Sequence, residues 1–221
     1  MKGNRLFSRR FGYMLIFPSA IVFLIVSIYP LLTGIMLSFQ NSSLYKGNEK
    51  KFVGLKNIIT ILTSDAEFRS DLLFTVIYTV GIVVIAYITG LVFSLLLNAD
   101  VPCRTLFRVL ILIPWVISPA VSSMSWSWLL SDQYGFFNNF LKSIGVIDKS
   151  ILFLADKTLA KIMVIIIGAW RNFPFITVSL LAGLQGISKD YYEAADIDGA
   201  NKFQRFRYVT FPHLKNVSII T

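Results

Sequence analysis

The residues best equipped for chemistry are few, and their types exclude most catalysis. Cys103 and His213 are the only thiol and the only imidazole. The sequence therefore supplies no disulfide, no Cys/His nucleophile pair and no metal-ligand cluster. No G-x-x-x-x-G-K-[ST] loop is present to cradle a nucleotide phosphate. The most informative polar groups gather in Ser188–Pro212, which reads S-K-D-Y-Y-E-A-A-D-I-D-G-A-N-K-F-Q-R-F-R-Y-V-T-F-P. Their chemistry is that of helix ends and recognition, with no bond making implied.

Asp190 and, three residues on, Glu193 have the spacing of a capping box, with Asp190 as N-cap and Glu193 reaching back. Ala194 and Ala195 favour helix, and Gly199 after Asp198 fits the left-handed position that ends one. Asn201 and Gln204 repeat the cap spacing, and Pro212 suits the first turn of a further helix. The stretch predicts a short helix, a sharp glycine turn and a second helix. Small side chains at 194 and 195 let another surface approach closely, and Gly199 fixes the return angle of the chain. Glu193 has two readings: an internal cap, or a carboxylate offered to basic or amide groups of a partner.

A second group sits in apolar surroundings. Arg171 is the one charge inside a predicted span, where an arginine costs ~2.5–3.5 kcal/mol and faces protein or water. Either it lines a path, or it pairs with backbone carbonyls freed near Pro174. Trp126, Trp170 and Asn172 are candidates for stacking on or hydrogen bonding to a solute; helix packing is their simpler use. Trp128 reads as an interface anchor.

These groups must be positioned by membrane helices. The chain of 221 residues is 55% hydrophobic and 15% charged, with a mean hydropathy of +0.68. Charges are absent between Arg10 and Lys46, between Asp71 and Asp100, and between Arg108 and Asp132. Each gap exceeds the ~20 residues of helix needed to cross a hydrocarbon core. Four spans are predicted, at Tyr13–Phe39, Leu72–Leu97, Val109–Leu130 and Ile162–Ile187, with Asn216–Thr221 opening a fifth. The fold class is all-α and polytopic. Pro18, Pro30, Pro114, Pro119 and Pro174 fall within spans, where neighbouring helices and waters satisfy the freed carbonyls. Lys2, Arg5, Arg9 and Arg10 before the first span place the N-terminus in the cytoplasm. Segments 1–12, 98–108 and 188–216 are then internal, and 40–71 and 131–161 external. The net charge of +9 suits an anionic membrane surface, and no basic run interleaved with aromatics suggests nucleic acid. The first apolar stretch outruns a secretory signal and lacks its small-residue cleavage site.

The internal stretch resembles the E-A-A-x3-G-x9-I-x-L-P loop of permease subunits of binding-protein-dependent ATP-binding-cassette importers. Here Glu193-Ala194-Ala195 is followed at the right spacing by Gly199 and by Val209-Thr210-Phe211-Pro212, with Val for Ile and Phe for Leu. F-V-G-L-K-N at Phe52–Asn57, R-T-L-F-R-V-L-I-L-I-P-W at Arg104–Trp115, W-R-N-F-P-F at Trp170–Phe175 and L-A-G-L-Q-G-I at Leu181–Ile187 are similar to the maltose-type sugar branch. The resemblance implies one membrane domain over 1–221, with six or more spans in all, so that two lie beyond the last residue. It implies that 188–215 is a cytoplasmic coupling loop, with Tyr192, Glu193, Ala194, Ala195, Asp198, Gly199, Ala200 and Pro212 at the ATPase joint. It also implies a second permease subunit, two ATPase subunits carrying ATP and Mg, and an extracytoplasmic solute-binding protein meeting the external segments. No cofactor is expected on this chain, and the location is a bacterial or archaeal cytoplasmic membrane. A secondary transporter or channel is the alternative class, but it would need intramembrane acids for ion coupling, and the spans hold none. A truncated, non-transporting chain is the third.

Overall fold

The computed structural model describes residues 4–41, 51–99 and 102–221. Lys2, one of the residues behind the expected orientation, lies outside them, as do 42–50 of the external segment and Asp100 and Val101 of the internal one. The chain forms two compact units, Met1–Leu73 and Phe74–Thr221.

In the first unit, helix α1 (Asn4–Phe23) runs through a π-turn (Leu24–Ile28) into α2 (Tyr29–Ser38). Proline has no N–H, and its ring clashes with the carbonyl four residues back. Widening the turn just before Pro30, with Tyr29 N–H donating to Leu24 O, relieves that clash. A two-residue antiparallel bridge follows, β1 (Gln40–Asn41) with β2 (Lys51–Phe52). Past it, Gly54 takes φ +59° and Asn57 Nδ2 donates to Ser38 O and Gln40 O, each at 3.0 Å. Those contacts give F-V-G-L-K-N a structural purpose: its asparagine ties the start of α3 (Lys56–Ser64) to the end of α2. Asp65 Oδ1 accepts from Phe68 N–H and opens α4 (Ala66–Asn98).

In the second unit the scaffold is α4 beside α8 (Lys157–Gln185), which Asp156 caps by accepting from Thr158 and Leu159 N–H. At ~1.5 Å per residue, 33 and 29 residues exceed a 30 Å hydrocarbon core. The two helices run parallel and approach through small residues. A Cβ added at Gly81 would meet Ile165, one at Gly90 would meet Ile176, and one at Gly168 would meet Ile82. Close approach of this kind substitutes for the hydrophobic drive that lipid does not provide. Ala86, Ala169, Ile176, Leu180, Leu184 and Leu214 form the buried core.

The predicted third span is broken. Helices α5 (Arg104–Val116) and α6 (Pro119–Leu129) meet at 94°. Ile117 and Ser118 between them are extended (ψ 132° and 139°), because the residue before a proline is driven out of the α region. Neither half alone, at 13 and 11 residues, spans the core. The described residues thus hold three helices long and apolar enough to cross, and a fourth crossing if the bent pair counts as one. After α6 comes the short α7 (Phe136–Ser143), whose Asn138 is buried and locks the following loop. Its Nδ2 donates to Ser131 O and Ile151 O, and its Oδ1 accepts from Ile151 N–H. Beyond α8 lie α9 (Lys189–Ile197), α10 (Lys202–Arg205), a second π-turn (Phe206–Thr210) and α11 (Phe211–Ile220).

Candidate functional site

Helix α9 starts one turn from the end of α8. Its N-cap is Ser188, whose Oγ accepts from Asp190 N–H at 3.3 Å, and not Asp190, which sits inside the first turn. Glu193 consequently closes no capping box; it is exposed and has no hydrogen-bond or ion-pair partner among the described residues. Of its two readings, the internal cap is removed.

The helix ends in a Schellman turn. Asp198 is the C-cap and Gly199 takes φ +75°. Ala200 N–H donates to Ala195 O at 2.9 Å and Gly199 N–H to Asp196 O at 3.1 Å, satisfying carbonyls the helix leaves open. The chain reverses into α10, opened by a complete capping box. Asn201 Oδ1 accepts from Gln204 N–H, and Gln204 Oε1 from Asn201 N–H. Pro212 falls in the first turn of α11, as its position suggests, and α11 continues from α10 through the π-turn without a break. The chain is helical from Lys202 to Ile220, and the proline is accommodated by the π-turn before it, in the same register as at Pro30.

The two faces of α9 differ. Ala194 and Ile197 point outward, Ile197 being 87% exposed, and Glu193 is exposed on the flank between the two faces. On the inward face, Tyr192 OH meets Thr210 Oγ1 at 3.1 Å, and both Asp196 carboxylate oxygens accept from Arg205 Nη1, at 2.9 and 3.1 Å. The Arg205 guanidinium carbon lies 5.3 Å from the Tyr192 ring centroid, a cation–π distance. With side-chain exposures of 35% and 53%, this ion pair contributes at most about 1 kcal/mol to stability. Tyr191 and His213 add a ring contact at 4.7 Å. A cavity of about 680 Å³ opens beside this face, lined by Asn98, Gln185, Lys189, Tyr192, Glu193 and Arg205 among others.

Beside the middle of α8, Trp126, Arg171 and Asn172 line one cavity of about 300 Å³, with Tyr78, Ser122, Ser123 and Ser127. Among the described residues Arg171 does not pair with carbonyls near Pro174: its buried Nε finds no partner there, and Ser122 Oγ is likewise buried without one. Asn172 Nδ2 donates to Gly168 O. Trp170 faces away, into an apolar cavity with Phe93 and Phe173, yet its ring meets Trp126 edge-on at 5.3 Å. Trp126 also stacks on Phe137, so its faces are partly covered by protein. Sequence reading passed over Ile197, Asp196, Arg205, Thr210 and Ser122. Ile197 carried a signal, as a large apolar residue in an otherwise polar loop. Ser122 carried none.

Helices long and apolar enough to cross a membrane, with a short capped helix held out at one end, give the described residues the architecture of a polytopic membrane protein. Residues 71–221 match the model of the binding-protein-dependent transport system inner membrane component, and the chain belongs to that family of multi-pass membrane proteins. It is 36% identical over 211 residues to the trehalose/maltose transport system permease protein MalF of Thermococcus litoralis, covering 96% of this chain and 70% of that one. It is 40% identical over 198 residues to a probable ABC transporter permease, y4oQ, of Sinorhizobium fredii, covering 89% and 63%. The trehalose transport system permease protein SugA of Mycobacterium tuberculosis is 31% identical over 218 residues, 99% of this chain and 69% of that one. The chain thus spans about two thirds of the length of these relatives. The fold matches a chain of a bacterial ABC transporter involved in the import of the acidic polysaccharide alginate, with TM-score 0.78 at 20% identity over 98% of this chain and 74% of that chain.

Proposed function

We propose that this chain is the permease subunit of an ATP-driven, binding-protein-dependent importer of sugars or oligosaccharides, working by alternating access. The observation that carries the reading is α9: a short helix with Ala194 and Ile197 exposed on one face and Glu193 on its flank, its direction fixed by the turn at Gly199. Ala194 admits a close surface, Ile197 supplies apolar area to bury and Glu193 a free carboxylate. Such a face fits a groove on an ATPase subunit, whose closure on ATP and Mg would swing α9 and, through it, α8 and α11. Two ATPase subunits, a second permease subunit and an extracytoplasmic solute-binding protein complete the importer in this reading. This chain holds no cofactor of its own. Lys2, Arg5, Arg9 and Arg10, ahead of the first apolar span, favour a cytoplasmic N-terminus in a bacterial or archaeal cytoplasmic membrane.

Support for sugar cargo comes from the relatives named for trehalose and maltose. The cavity bearing Trp126, Arg171 and Asn172 is the candidate part of the path, since Arg171 Nε and Ser122 Oγ, buried beside it, have no hydrogen-bond partner among the described residues. The test is co-purification of ATPase subunits with the tagged, full-length protein from its own membrane. Ala194→Trp puts bulk on the exposed face and is expected to lower recovered ATPase at least tenfold at equal permease yield. Undiminished recovery would refute docking at α9.

A further inference from the structure

We infer that Arg205 is a positioning residue: with Asp196, Tyr192 and Thr210 it latches α9 to the helix Lys202–Ile220, so that α9 and the membrane helix move as one body. This rests on the coupling reading above. The glycine turn that sets the direction of α9 is also its weakest mechanical point. A load applied to the outward face would be absorbed by rotation about Gly199 and Ala200 unless side chains bridge the two helices.

The bridge is built from both sides. Tyr192 and Asp196 are four residues apart, so they share one face of α9. Arg205 and Thr210 are five apart. On an ideal α-helix that spacing leaves the two about 140° from alignment. The i→i+5 closure of the π-turn returns them to one face. Arg205 then reaches Asp196 at 2.9 Å and lies over the Tyr192 ring, while Thr210, 5% exposed, meets Tyr192 OH. Pro212 lies two residues beyond the π-turn, where a regular α-turn would set its ring against the Tyr208 carbonyl. The proline of the loop thus acts at a distance: it imposes the turn that aligns the latch. Continuity into the membrane follows from α11, where Leu214 and Val217 pack on Gly183 of α8 and Ser218 Oγ meets Tyr87 OH of α4 at 2.8 Å.

The test uses the importer assembled from the full-length chain with its ATPase subunits. Cys103→Ser and Ser127→Cys, with any other cysteine of the assembled complex changed to serine, leave one thiol, at an exposed position in the cavity between α6 and α8. Its labelling rate by a membrane-impermeant maleimide is read with and without ATP and Mg. In this background ATP is expected to change the rate at least fivefold. Arg205→Ala and Asp196→Ala are each expected to cut that change below twofold, with the ATPase still co-purifying and still hydrolysing ATP. The exchange Asp196→Arg with Arg205→Asp is expected to recover at least half of it, because the ion pair is remade even though the ring contact is not. Pro212→Ala should give the loss seen with Arg205→Ala. A full ATP response in either single alanine variant would overturn the latch, as would an exchange no better than the singles, or loss of the ATPase from the Arg205→Ala complex. A full response in Pro212→Ala would overturn the part assigned to the proline. No ATP response in the background protein would instead overturn the coupling reading itself.

Discussion

Replacing Gly199 separates the shape of the coupling turn from its contacts, because a side chain there meets nothing. A Cβ built at Gly199 has no heavy atom within 4 Å, so the whole penalty is that of the φ +75° backbone. For an ordinary L-residue that penalty is ~1–2 kcal/mol, and asparagine escapes much of it by bonding locally. If alanine or valine pulls φ out of the left-handed region, the bonds from Gly199 N–H to Asp196 O and from Ala200 N–H to Ala195 O open together. The correctly turned population then falls by a factor of about 5–30. Apparent affinity for a partner falls by the same factor when only that population binds. Substituting glycine also narrows the unfolded ensemble, returning about 0.4–1 kcal/mol to global stability, but this leaves the turned-to-unturned ratio unchanged. Titrating purified ATPase subunit onto the full-length permease in detergent should show dissociation constants raised about 5–30-fold for Gly199→Ala and more for Gly199→Val. Gly199→Asn should stay within about threefold of the native chain. Native affinity in the alanine variant, or an asparagine variant weaker than alanine, would refute the argument from backbone conformation.

Two further substitutions test the packing that carries the loop. Asn138→Ala removes three hydrogen bonds from a side chain 1% exposed and leaves Ile151 N–H unpaired, at a cost of about 1–3 kcal/mol. The thermal midpoint should drop, with α9 docking unaffected. Gly90→Ala drives a methyl to 2.8 Å from Ile176 Cγ2 and 3.2 Å from Thr177 N, which as backbone cannot yield; overpacking of about 1–3 kcal/mol is expected. Gly168→Ala meets only the flexible ends of Ile82 and Tyr78 and should cost less, and the order of the two thermal midpoints checks this.

What could be read from the sequence was local. The turn at Gly199 and the box at Asn201 and Gln204 each depend on residues within four positions, and both form as their spacing predicts. Asp190 was misplaced because Ser188, two residues earlier, is an equally good cap. With α8 running to Gln185, only Gly186, Ile187 and the cap Ser188 separate the two helices. The break in the third span was announced by Ser118-Pro119, but prolines are so often carried inside membrane helices that composition argued for continuity. Arg171 and Ser122 converge on one cavity only because α6 and α8 face each other, and no spacing rule encodes that. The Asp196–Arg205 pair crosses a chain reversal and depends on a π-turn. Opposite charges nine residues apart suggest neither.

The π-turn also changes how the end of this chain has to be counted. A wheel drawn from Arg205 with the α-helical period puts Val209, Pro212 and Asn216 on its face. The inward line found there is Thr210 and Leu214, both buried, and the half-buried Val217, displaced by one to two positions. One residue has in effect been threaded into the helix, and every side chain after it is rotated by about 100°. An equivalent chain lacking the proline at 212 would need a single-residue gap within Phe206–Thr210 before its lining positions could be matched to these. Pro30, preceded by the same wide turn, sets the same trap in the first span.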